Sequence, residues 1–126
     1  MSGQENVVEK RIFIVESDRM LRDSLTSLFQ AKRCCVRAFP SAEEAIPFLE
    51  AGAADVLVCG QDLPGMDGLD LLARIGAILP RAVLMVLICS HLTARLSEEM
   101  KRLRIDGCLL KPFSTEEFEQ VLSCVL

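Results

Sequence analysis

The chain holds a single histidine, His91, and none of its six cysteines are spaced as C-x-x-C. A structural zinc site is therefore not expected. No long run of one charge sign occurs, and 14 Lys and Arg against 18 Asp and Glu leave a net charge of -4, so there is no electrostatic footprint for nucleic acid. No apolar run reaches the length of a membrane span and no amino-terminal signal pattern is present, which reads as a cytoplasmic protein without membrane contact. After the first apolar run stand Glu16-Ser17-Asp18-Arg19 rather than a Gly-rich phosphate loop, which weakens the case for a nucleotide- or flavin-binding enzyme. Tyrosine and tryptophan are absent altogether.

What is present suits one soluble domain. Hydrophobic residues make up 51% and charged residues 25% of 126 positions, and a chain of this length buries about two-thirds of its unfolded surface without staples. Five of the six cysteines (Cys34, Cys35, Cys59, Cys89, Cys108, Cys124) sit in apolar runs. They are expected to be small buried hydrophobes in a reducing compartment.

The stretch from Asp55 to Gly68 organises the rest. Val56 to Cys59 run apolar into Gly60, and turn chemistry follows at Asp62, Pro64, Gly65 and Gly68. An unbroken apolar run bounded by turn residues reads as a strand buried on both faces, as in parallel sheets covered by helices. In such sheets function gathers just past the carboxyl ends of the strands.

Around this stretch strands and helices alternate. Residues 1–9 are polar and aperiodic and are expected to form a loose tail, with the domain over 10–126. Ile12 to Val15 predict strand one, and Asp18 caps a helix with Leu21, Leu25, Leu28 and Phe29 on one face. Cys34 to Phe39 predict an edge strand. Ser41 with Glu44 opens helix two, which Pro47 should kink or shorten and Gly52 can close. Asp67 and Asp70 start helix three, with Leu69, Leu72, Ile75, Ile78 and Leu79 apolar; they read as capping groups rather than a metal site. Ala82 to Cys89 should be the most buried strand. Leu92, Leu96, Met100 and Leu103 make helix four amphipathic. Gly107 to Leu110 form strand five, and the capping box of Ser114 and Glu117 opens helix five, with Phe118, Val121, Leu122 and Val125 inward. Five βα units with short loops predict right-handed crossovers and a doubly wound α/β sheet, with no output domain expected in this stretch.

The runs Leu63-Pro-Gly-Met-Asp-Gly68 and Leu109-Leu-Lys-Pro-Phe113, set in this five-unit rhythm, resemble the CheY-like receiver domain of bacterial response regulators from Arg11 to Leu126. The resemblance implies a flavodoxin-like (βα)5 three-layer sandwich with strand order 2-1-3-4-5 and a cis Lys111-Pro112 bond. It also implies a partner in two-component signalling: a histidine kinase, a phosphotransfer or output protein, or a second copy of the chain. Such a partner would meet the face of helix four, strand five and helix five, or helix one. The family's phosphoryl-accepting aspartate lies four residues before the proline of the loop. Here that place is Gly60, which offers no nucleophile.

The remaining pocket residues depart in the same sense. The acidic pair that holds Mg²⁺ in the family corresponds to Glu16-Ser17, so Mg²⁺ binding is expected to be weak or absent. The Ser/Thr switch slot falls on Cys89, with Ser90 as the alternative. The aromatic switch position is Cys108, and Lys111 keeps the family lysine, which could steady an anion or pair with Glu16. His91 reads as a loop residue. No catalytic residue or metal ligand is assigned. The leading expectation is a degenerate, phosphorylation-independent interaction module, not an enzyme. Two alternatives stay open: a receiver that accepts phosphoryl at Asp62, and a ligand-binding or enzymatic flavodoxin-like domain.

Overall fold

A computed structural model describes residues 9–78 and 83–126, so the expected tail, apart from Glu9, and positions Leu79 and Ala82 lie outside the described residues. The elements alternate without exception: β1 (Arg11–Val15), α1 (Arg19–Ala31), β2 (Cys35–Phe39), α2 (Ala42–Glu50), β3 (Val56–Gly60), α3 (Gly68–Ile78), β4 (Leu84–Cys89), α4 (Ala94–Leu103), β5 (Gly107–Leu110) and α5 (Thr115–Val125). The five strands form one parallel sheet in the order β2-β1-β3-β4-β5, as the resemblance implied. Among the described residues no helix is long and apolar enough to cross a membrane.

Strand alternation sorts the core into two layers. Phe13, Val15, Leu57, Cys59, Met85 and Leu87 face α2 and α3, with Leu96 and Met100 of α4 packed at the margin. Ile12, Ile14, Val56, Val58, Val86 and Ile88 face Leu25 and Phe29 of α1 and Phe118, Leu122 and Val125 of α5. Helix starts follow the local signals. Asp18 accepts from the Met20 and Leu21 amides, Ser41 from Glu44, and Ser114 with Glu117 closes a full capping box. Pro47 is accommodated in a helix only nine residues long, and Gly52 closes that helix at φ 77°. The Lys111–Pro112 peptide is cis.

Three expectations are corrected. The most buried strand is β3, all five residues of which are inside, whereas Leu84 at the start of β4 is only half-buried. The central place in the sheet, not the longest apolar run, decides burial. Leu92 precedes α4 and is 50% exposed, because the helix begins only after the Thr93 cap; no residue of α4 is fully buried. Of the cysteines, only Cys59 and Cys89 are buried, while Cys34 and Cys108 are half-buried and Cys35 and Cys124 exposed. Cys35 lies on the edge strand and Cys124 on the solvent side of α5, where an apolar neighbour in sequence does not mean an apolar neighbour in space.

Candidate functional site

Parallel pairing brings the carboxyl ends of β1, β3, β4 and β5 to one edge, and backbone bonds fix the residue just past three of them. The Glu16 amide donates to the Phe39 carbonyl (3.0 Å), Gln61 to Ile88 (2.7 Å) and Lys111 to Cys89 (2.8 Å). Glu16, Gly60 and Lys111 therefore meet through the sheet itself, before any side chain contributes.

The side chains complete the arrangement. Glu16 is 1% exposed, the one fully buried charged residue among the described positions. Its Oε2 accepts from the Asp18 amide at 2.9 Å and lies 3.5 Å from Lys111 Nζ, whose side chain is 30% exposed. The latter distance exceeds the roughly 2.7–2.9 Å of a strong charge-assisted bond, so the attraction is mainly Coulombic. Glu16 Oε1 is buried without a hydrogen-bond partner. A Cβ built on Gly60 would stand 2.6 Å from that oxygen and 3.3 Å from Glu16 Cδ. The carboxylate of β1 thus extends into the space that a side chain at position 60 would occupy.

The neighbouring loops are tied into this centre. Ser17 Oγ donates to the Asp62 carbonyl at 3.1 Å, so its hydroxyl is engaged with the β3–α3 loop. The Asp62 side chain is exposed. Arg22 Nη1 donates to the Glu16 carbonyl at 2.7 Å, a contact that no sequence signal announced. Asp67 accepts from the Asp70 amide and caps α3, and its charge raises the Asp70 carboxyl above the usual range.

On the other side of the sheet Cys89 Sγ and Cys108 Sγ lie 3.9 Å apart. Burial first, and the Cys89 neighbour second, push the Cys108 thiol up to about 12. This contact joins two of the positions read as the switch pair. Ser90 is exposed and lines, with Lys111, Leu21, Phe113 and Phe118, a mainly apolar groove of about 610 Å³ between α1 and α5. His91 is an exposed loop residue and joins no cluster.

Chemically, the centre offers one buried carboxylate and one cation, already facing each other. Among the described residues no group of three His, Cys, Asp or Glu side chains is placed to hold a metal ion. Sequence reasoning found Glu16, Gly60 and Lys111 and named the Lys111–Glu16 pairing as one of two roles for the lysine; it missed the approach of Glu16 to Gly60, Arg22, and the Gln61 side chain, whose Oε1 accepts from the Leu69 amide at 2.9 Å.

Comparison with known proteins agrees with this fold. The family profile described as response regulator receiver domain matches residues 12–123. The transcriptional regulatory protein BasR of Escherichia coli is 35% identical over 120 residues, covering 92% of this chain and 52% of that protein. The two-component response regulator PhoP of Pseudomonas aeruginosa is 31% identical over 123 residues, covering 92% and 51%. The chain therefore spans about half the length of these two relatives. Among solved structures, the non-phosphorylated HemR receiver domain of Leptospira biflexa superposes with a TM-score of 0.86 at 24% identity, over 93% of this chain and 94% of that one.

Proposed function

Because the chain belongs to the response-regulator receiver family, we propose that it serves two-component signalling as a phosphorylation-independent interaction module. The observation that carries this reading is the filled centre. Position 60 has no nucleophile, and the space an aspartate would use there holds the Glu16 carboxylate. Phosphoryl transfer depends on positioning and on charge neutralisation, and this centre offers no acceptor at position 60 and, among the described residues, no cation beyond Lys111, which already faces Glu16.

The family implies Mg²⁺, and the residues do not fit it. Ser17 offers a hydroxyl bound to the Asp62 carbonyl. Gly60 offers nothing, and Glu16 is turned toward Lys111 and the Asp18 amide. Mg²⁺ keeps most of its waters and takes one or two well-placed carboxylates, and the buried carboxylate here is already directed at Lys111 and the Asp18 amide. The module is cytoplasmic in this reading. Its partner, a kinase, phosphotransfer or output protein or a second copy, meets the α4–β5–α5 face. There the exposed Leu92 and Leu110 stand with the charges of a helix that buries no residue fully.

Incubation with acetyl phosphate and Mg²⁺, followed by intact mass, tests the reading. The expected result is an unmodified chain. A stable acyl-phosphate adduct would overturn it, and loss of that adduct in Asp62→Asn would locate the acceptor.

A further inference from the structure

One oxygen stands out among the described residues: Glu16 Oε1, buried and without a hydrogen-bond partner. An orphaned buried acceptor is unfavourable. A buried glutamate ordinarily turns both oxygens to donors. Here one oxygen takes the Asp18 amide and Lys111, and the other points at Gly60. The backbone reasons for that orientation are plain. Glu16 is pinned through its own amide to β2 and through its carbonyl to Arg22, and its carboxylate lies between Lys111 on one oxygen and the space above Gly60 on the other.

We infer that Glu16 and Gly60 form a compensated pair in which Glu16 positions Lys111. The carboxylate from β1 is the resident counter-ion of the lysine, and residue 60 lacks a side chain because that space is taken. The inference deepens the functional reading above, and rests on it for the signalling consequence: the pocket is closed by its own residue rather than merely missing an acceptor. An aspartate returned to position 60 would meet a carboxylate already in its place.

The sign of one substitution separates this from a bland glycine at a strand end. Gly60 does not adopt positive φ, so alanine is not excluded by its backbone, and glycine within a strand is ordinarily a weakness that alanine relieves. The Glu16 contact opposes that gain: the neighbour is a side-chain carboxylate that can turn, but turning draws it from the Asp18 amide and Lys111. Gly60→Ala should lower the melting temperature of the wild-type chain and raise it in the Glu16→Ala and Glu16→Asp backgrounds. The aspartate keeps the charge and withdraws the reach, so it guards against loss of fold in Glu16→Ala.

A second readout follows Lys111 itself. Its acylation by an anhydride, measured by peptide mass against the exposed Lys101, should be several-fold faster in both Gly60→Ala and Glu16→Gln than in wild type. A melting temperature that rises on Gly60→Ala in the wild-type chain, or falls equally in all three backgrounds, would overturn the pairing. So would a Lys111 rate that does not change. An acetyl phosphate adduct on the wild-type chain would end the functional reading while leaving these signs intact, so the two ideas fail separately.

Discussion

Gly68→Ala should damage the loop behind the centre far more than its one methyl group suggests. Gly68 opens α3 and is buried. Its amide donates to the Gln61 carbonyl at 3.0 Å. A Cβ there would overlap the Gly60 carbonyl oxygen and stand 2.9 Å from Leu87 Cδ1 and 3.0 Å from Gln61 Cα. Two of these three neighbours are backbone of the β3 end, held by the Gln61–Ile88 bond, so the contact cannot be relieved by rotating a side chain. Overpacking of this kind costs about 1–3 kcal/mol. Gly76→Ala in the same helix is the control, because its Cβ meets only Met85 Cε at 3.4 Å, and helix propensity then favours alanine by up to about 1 kcal/mol. Urea unfolding of both variants reads the difference at constant m-value. Each kcal/mol corresponds to about 3–5 °C in the melting temperature of a domain this size. Equal stability of the two variants would show that the β3 end yields, and that the close approach of α3 is not enforced.

Two further outcomes are expected. Asp55 accepts from the Arg11 amide (2.8 Å) and from both arms of its guanidinium (3.1 and 2.9 Å), which holds the Asp55 carboxyl below its usual range. A depressed carboxylate stabilises the fold above the unfolded pKa of about 3.9, and that stabilisation is lost as pH falls through the lower folded value. Asp55→Asn should therefore lose about 0.2–1 kcal/mol at neutral pH, small because the pair is partly exposed and screened, and the gap from wild type should close in acid; a gap independent of pH would refute the ion-pair account. For the thiols, Cys108 is raised to about 12 by burial and by Cys89, and Cys59, wholly buried, is raised further. Brief alkylation at pH 8 should thus mark the exposed Cys124 and spare both, and rapid labelling of Cys108 would mean that β5 opens more readily than its packing allows.

Much of the fold could be read before any coordinates because each unit carried its own signals: an apolar run, a cap, a 3.6-residue face. Asp18, Ser41 and Ser114 capped helices as their spacing predicted. The misreadings arose where burial is set by neighbours in space. Ala82 to Cys89 is the longest apolar run, yet β3 is the strand flanked on both edges by further buried strands. Cys35 reads as core material and sits on the open edge of the sheet. Leu92 keeps the helical spacing of Leu96 and Met100, but the Thr93 cap puts it outside the helix.

The candidate centre shows the same limit in a sharper form. Gly60 and Lys111 stand out along the chain one at a time, the first as a missing nucleophile and the second as a retained cation that could serve either an anion or Glu16. Glu16 connects them only once β1 and β3 lie side by side, with Val15 opposite Cys59. The retained lysine then needs no phosphoryl group to account for it, because removing it would leave a carboxylate that is 1% exposed without its cation. Breaking one side of such a pair is far more damaging than never having built it. A glycine at position 60, a glutamate at 16 and a lysine at 111 are therefore mutually sufficient. Under the phosphorylation-independent reading proposed above, phosphoryl chemistry at position 60 would require changing at least the first two together.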